Sequence, residues 1–397
     1  MAAKIHDAMH ARRPRKRAKT QPGVVVFSPA SCSSPGGHDT RFDDGFNHQE
    51  CPDRVRAILA AVRETWPDAL IREGEPLGTA EFDGALAAVH DANYLASLQR
   101  ACASLSAEST GALTPLLMPR ELKAKGDTRF SANSYSTALA AMRATLEAVD
   151  HVTGDGAAAF VCVRPPGHHA GPRGPDDEVC GCGFCLVNHV AVAAYYAVHV
   201  KRHERVAVVD IDVHHGNGTE RCVRETMQEE HVMYASLHLR ETFADSALDF
   251  FPGTGASCCE TAVGGGPWIL NLPLEPQWPP PPCAGERSTA RGQGRLAWRD
   301  CFERELLPVL DAFGPSLILV SAGFDGAAGD DGNLAEDLEH GGLDLLPDDF
   351  EWCARLLLRR AAVVSVLEGG YGCMHDDRRD YARLAACAVA HVRGLFH

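Results

Sequence analysis

Asp210, Asp212 and His214 occupy alternate positions in VAVVDIDVHHGNG, a run from Val206 to Gly218 that is otherwise apolar up to its last residues. Alternate residues of an extended strand share a face. A carboxylate buried in such a strand is costly unless it is paired or bound to a metal. Other apolar runs end in residues of similar chemistry. AAFVCV leads into RPPGHHAGP, with His168 and His169 adjacent on a loop stiffened by proline and glycine. SLILVSAG leads into Phe324 and Asp325, and AVVSVLEGG leads into Tyr371. Asp212, His214 and Asp325 together supply oxygen, nitrogen and oxygen. Three protein ligands with an open fourth position are what a catalytic zinc requires. Such an ion acidifies bound water and polarises a carbonyl. His168 and His169 have the acidity for proton transfer near neutral pH. A polar group behind an imidazole fixes its tautomer. Asp210 is available to one histidine and Asn217 to the other. Tyr371 offers an O–H to a developing oxyanion. The set describes metal-assisted attack of water on an acyl group.

Each of these features alone has a plainer explanation: a strand ending in loop charges, a surface His-His turn, a helix cap, an aromatic packed over a glycine pair. Their occurrence at the ends of four strands favours one shared site, because ligand sites in open α/β sheets form beyond the carboxyl ends of the strands.

The elements needed to hold that site alternate along the chain. AAFVCV, RVAVVDIDV, HVMYASL, WILNLPL, SLILVSAG and AVVSVLEGG read as buried strands. PDRVRAILAAVRETW places Val55, Ile58, Leu59 and Val62 on one helical face, with Pro52 in the first turn and Pro67 beyond the end. STALAAMRATLEAVD and VNHVAVAAYYAVHV also read as helices. Alternation of this kind predicts an α/β fold with a mostly parallel sheet under covering helices. Pro276–Gly294 and the acidic stretch Gly329–Gly342 read as loops. No internal repeat is present.

The chain has 397 residues, 45% of them hydrophobic, enough for a large core. No apolar run is long enough to span a membrane, and the N-terminus carries no apolar secretion signal. Fifteen cysteines scattered through apolar segments read as reduced, mostly buried thiols. CGCGFC, Cys180–Cys185, lacks the second Cys pair of a structural zinc site. The net charge of −15 conceals a basic start: Lys4, Arg12, Arg13, Arg15, Lys16, Arg17 and Lys19 stand against Asp7. RRPRKRAK resembles a nuclear localisation signal; a solvated tail or a transit peptide are the alternatives. We therefore divide the chain into a disordered basic tail, residues 1–21, and a catalytic domain, 22–397. The acidic body disfavours nucleic acid as a direct ligand and favours basic partners.

The motifs RPPGHHA (Arg164–Ala170), GFCLVNH (Gly183–His189), VVDIDVHHGNGT (Val208–Thr219), FFPGTG (Phe250–Gly255), SAGFDG (Ser321–Gly326) and LEGGYG (Leu367–Gly372) resemble, in this order, those of the zinc-dependent histone deacetylases, most closely class II. The resemblance runs from Val24 to about Phe396. It implies a single α/β domain of arginase-like architecture, with zinc on Asp212, His214 and Asp325. His168 and His169 match the tandem catalytic histidines, the second as general base, with Asp210 behind His168 and Asn217 behind His169. Tyr371 matches the carbonyl-polarising tyrosine. Phe184 and Phe251 match the walls of an acyl-lysine tunnel, Gly369 its lining, and Asp127 a rim aspartate that holds the substrate backbone. The family often binds potassium, here implied at Asp210, Asp212, His214, Ser236 and Leu237.

Two departures stand out. Gln49 in HQECPDR replaces the usual proline, which predicts a different entrance loop. The acids after Asp325 (Asp330, Asp331, Glu336, Asp337 and Glu339) predict an acidic rim that favours basic peptides. The resemblance implies a nuclear enzyme, or one shared with the cytoplasm, acting on acetylated proteins such as histone tails, with repressor-complex subunits as partners. An acetylpolyamine amidohydrolase and a catalytically weak acetyl-lysine reader or scaffold are the alternatives. A di-manganese hydrolase is disfavoured, because SAGFDG offers one acidic ligand where a second metal needs more.

Overall fold

Valine-, isoleucine- and leucine-rich runs build the centre of the molecule, as strands buried on both faces require. The computed structural model describes residues 23–41, 48–76, 78–106, 109–113, 127–154, 156–175, 181–227, 230–240, 250–260, 266–274, 293–333, 342–375 and 378–396. The basic tail and most of the 276–294 loop lie outside the described residues.

The main sheet contains β1 (Val25–Phe27), β2 (Leu70–Arg72), β3 (Ala158–Val161), β4 (Val206–Asp210), β5 (Val232–Leu239), β6 (Cys258–Glu260), β7 (Trp268–Leu274), β8 (Leu317–Ala322) and β9 (Ala362–Leu367). Its order is β2-β1-β3-β9-β8-β4-β5-β7-β6. Neighbours are parallel except β6, which runs antiparallel to β7 at one edge. Each apolar run expected to be a strand forms one. The three-residue strands β1, β2 and β6 were not anticipated.

Alternation divides the core in two. Ala207, Val209, Ile318 and Val320 face one side, with α1 (Pro52–Thr65), α7 (Gln293–Cys301), α8 (Leu307–Phe313), α9 (Pro347–Leu358) and α10 (Ala382–Phe396). Val206, Val208, Leu317 and Leu319 face the other, with α2 (Ala80–Val89), α3 (Ala92–Ala103), α4 (Ser134–Gly154), α5 (His189–His199) and α6 (Asn217–Thr226). The expected α1 face, Val55, Ile58, Leu59 and Val62, is buried. α5 starts at His189 because the Asn188 side chain caps it, accepting from Ala191 N at 2.9 Å. No described helix is long and apolar enough to cross a membrane. Every described cysteine is free.

The stretch around Gln49 is tied into the interior. Glu50 is fully buried and accepts from Arg164 Nε and Nη2, both at 2.7 Å, with Arg54 at 3.4 Å and His38 at 3.3 Å. Burial alone would raise its carboxyl; Arg164 and His38 outweigh that and hold it well below the usual carboxylate range. A depressed folded-state value contributes stability above the ordinary carboxylate range, lost only on strong acidification. Glu50→Gln leaves two buried guanidinium groups under-compensated. It should cost about 3–5 kcal/mol, read as a lower denaturant midpoint with an unchanged slope. A loss within the error of the midpoint would remove Glu50 as the hub.

Candidate metal-dependent active site

β3, β9, β8 and β4 are consecutive in the sheet, and the chain leaving each carboxyl end enters one cluster. β4 is shorter than expected. Its ladder ends at Asp210, where side chains take over the main-chain donors: Asp210 Oδ1 accepts from Asp212 N at 3.2 Å and Asp212 Oδ1 from His214 N at 2.9 Å. Asp212 and His214 therefore stand on a turn, not on the strand face.

Asp212, His214 and Asp325 bring one ligand atom each within 4.8 Å of one another. His214 Nδ1 lies 3.0 Å from Asp212 Oδ1 and 3.2 Å from Asp325 Oδ2. Gly369 N donates to Asp212 Oδ2 at 2.9 Å, and Val213 N to Asp325 Oδ1 at 3.0 Å. Asp325 Oδ2 is buried with no donor aligned on it. A Cβ at Gly369 would strike the oxygens of Asp325 and Asp212, and one at Gly323 would strike Asp212. Burial and the Asp212 charge push the Asp325 carboxyl up, while His168 and His214 hold Asp212 down against its own burial. Two buried carboxylates that repel, one with an orphaned oxygen, fit a divalent cation. An O,N,O donor set suits zinc.

The two adjacent histidines differ in state. His168 Nδ1 is 3.1 Å from Asp210 Oδ2, and Nε2 is 3.7 Å from Asp212 Oδ2. Burial would depress it, but Asp212 and Asp210 outweigh burial and push it up to about 10. His169 Nδ1 is 2.7 Å from Asn217 Oδ1. An amide oxygen only accepts, so Nδ1 carries the hydrogen and Nε2 keeps its lone pair. Burial, then His168 and His214, hold His169 well below the usual imidazole range. Asn217 opens α6, which is fixed to the histidine loop by Thr219 N donating to His168 O at 2.9 Å. Glu368 secures the loop from the other side, taking Gly167 N at 2.6 Å and His168 N at 3.2 Å.

Tyr371 is 4% exposed, edge-on to Phe184 at 5.4 Å between ring centres. Arg54 lies over its ring at 4.7 Å and donates to Gly370 O and Glu368 O, both at 2.5 Å. Burial pushes the phenol well above its usual value, so it stays a donor. Phe251 stands edge-on to His169 at 4.9 Å. Phe250, which sequence reasoning passed over, stacks on His214 at 5.1 Å. Glu50, Arg54 and Glu368 were missed as well.

The carboxylate of Asp127 is engaged by its own protein: it accepts from Cys182 N at 3.1 Å and Gly183 N at 2.9 Å. It holds the loop that carries Phe184. Two expectations change. HQECPDR is not simply an entrance loop, since Glu50 and Arg54 are buried inside. The acidic rim loses two members: Asp330 is buried and Asp331 pairs with Arg379 at 2.5 Å. Glu336, Asp337 and Glu339 lie outside the described residues. Of the residues implied for potassium, Ser236 is the ladder partner of Asp210, and its hydroxyl is 2.9 Å from His238 Nδ1. Leu237 follows it on β5.

The family described as "Histone deacetylase domain" matches residues 48–387. An uncharacterized protein of Synechocystis is 35% identical over 333 residues, 83% of this chain and 90% of that one. Histone deacetylase 15 of Arabidopsis thaliana is 32% identical over 332 residues, 82% of this chain but 50% of its own length. The chain thus spans most of the first relative and half of the second. The crystal structure of the HDA15 HD domain is similar with a TM-score of 0.70 and 26% identity, over 94% of this chain and 89% of that chain.

Proposed function

Since the chain belongs to the histone deacetylase family, we propose that it is a zinc-dependent hydrolase removing acetyl groups from lysine side chains of histones or other proteins. The observation that carries this reading is the placement of the two histidines beside the Asp212–His214–Asp325 cluster: His168 Nδ1 lies 3.1 Å from Asp210 Oδ2, and His169 Nδ1 lies 2.7 Å from Asn217 Oδ1, which leaves Nε2 of His169 as the basic nitrogen. Zinc, when bound, acidifies water and polarises the amide carbonyl. His169 takes the proton of the attacking water at Nε2, and Asn217 keeps that nitrogen the basic one. His168, its charge shared with Asp210, favours the negative charge that develops and can return a proton to the departing lysine amine. Tyr371 donates to the carbonyl oxygen as charge builds on it, and Phe184 and Phe251 exclude water.

The proposal includes a potassium ion near Asp210, Asp212, His214, Ser236 and Leu237, acetylated proteins as substrates, repressor-complex subunits as partners, and a nuclear location resting on the basic run near the N-terminus. The test is turnover of acetyl-lysine peptides and acetylpolyamines, with and without a hydroxamate, alongside metal analysis. Preference for the polyamines moves the substrate to the amidohydrolase alternative. Tyr371→Phe keeps the ring and should retain zinc and peptide binding while turnover falls about 10²–10³-fold. A variant within a few-fold of the parent assigns the oxyanion donor elsewhere. A wild-type protein inert toward every acyl substrate, with peptide binding unchanged in Tyr371→Phe, leaves the reader.

A further inference from the structure

Asp330 belongs to the acidic stretch after Asp325, yet its side chain points inward and is 1% exposed. Oδ1 accepts from Gly332 N and Tyr371 N, both at 3.0 Å. Oδ2 accepts from Tyr371 N at 2.9 Å and Gly372 N at 2.7 Å. Three main-chain N–H groups converging on the two oxygens of one carboxyl group form a directional anchor. Tyr371 has particular need of one. It sits between Gly370 and Gly372, whose φ angles are 108° and 68°. Glycines in that region are permissive, so its neighbours along the chain do not fix the tyrosine.

The turn around Asp330 grips Tyr371 elsewhere too. Asp331 N donates to Gly372 O at 2.8 Å. Arg379, paired with Asp331, donates to Tyr371 O at 3.0 Å. A Cβ on Gly332 would meet the Tyr371 ring and Asp325 Cβ, so the turn packs its bare backbone against the phenol ring.

We propose that Asp330 is a positioning residue for Tyr371: it sets the approach of the phenol to the site through main-chain N–H groups, without touching substrate. The proposal rests on the deacetylase reading of the site. Asp330→Asn preserves size but replaces one acceptor oxygen with an NH₂ facing N–H donors. In the zinc-loaded full chain, turnover of an acetyl-lysine peptide should fall roughly 10–10²-fold with KM within about 3-fold, the signature of a misplaced group. The same substitution in a Tyr371→Phe background should add no more than about 3-fold, because the hydroxyl it positions is already gone. Equal losses in both backgrounds would make Asp330 a general structural residue and overturn the proposal.

Gly332→Ala presses on the same ring from the other side. Because it also meets the proposed zinc ligand Asp325, the variant that serves if Asp330→Asn does not fold is Asp330→Glu, which keeps the acid but changes its reach and should show the same dependence on the Tyr371 hydroxyl. Amide hydrogen exchange at Tyr371 and Gly372 should speed up in Asp330→Asn; unchanged exchange also overturns the proposal. That measurement needs no turnover. An inactive wild type therefore sinks the deacetylase reading, while exchange still decides the anchor.

Discussion

Asp325→Asn is expected to lose bound zinc and hydrolytic activity together. The carboxylate is fully buried, one oxygen takes Val213 N, and the other is the orphan that faces His214. An amide in its place carries no charge and can turn an N–H toward His214. A site built from three protein ligands should not retain the metal when a charged one is lost. The same substitution separates a ligand from a structural group. Burial and Asp212 raise the Asp325 carboxyl. A raised folded-state value means that ionisation opposes folding at neutral pH in the metal-free chain. Metal-free Asp325→Asn should therefore melt at or above the temperature of the metal-free parent. Metal analysis and melting curves of the purified proteins decide the matter; a variant that keeps both zinc and activity would withdraw the ligand assignment.

His169→Ala should show the opposite pattern, keeping zinc and hydroxamate while losing turnover. The residue approaches the cluster through its ring but is not one of the three ligands, and its tautomer is set by Asn217 at 2.7 Å. General acid–base groups typically contribute about 10²–10⁴-fold. Burial first, then the neighbouring His168 and His214, disfavour the protonated ring. The base form therefore persists below the ordinary imidazole range, and the acid limb of the parent's kcat/KM profile should lie there and vanish in the variant. Turnover within a few-fold of the parent would move the base role to His168.

The architecture and the reactive residues could be read largely from sequence because both leave local marks. β3, β4, β5, β7, β8 and β9 are apolar runs of the right length, and the reactive groups stand at the carboxyl ends of four of them, β3, β4, β8 and β9. What escaped has no local mark. β1, β2 and β6 are three residues each, too short for a periodicity. Arg54 reaches Gly370 O across 316 positions, and Asp330 reaches Tyr371 N across 41. Those bonds end on main-chain atoms, which every residue has. The acidic stretch misled for a related reason: composition reports charge but not direction, and Asp330 points inward. The bonds of Asp127 to N–H groups of a loop far along the chain leave no local mark either.

The position of β9 has a consequence for how the chain matures. It is the last strand of the main sheet to be synthesised, yet it lies between β3 and β8. Until Ala362–Leu367 emerges from the ribosome, two apolar strands, β3 and β8, lack a neighbour and present open backbone edges of the kind that nucleate aggregation. Pairing across such sequence separations is slow. The growing chain must therefore be kept apart from its copies from the emergence of β3 until β9 is made, and the reactive loops gather only when that strand slots into the middle of the sheet.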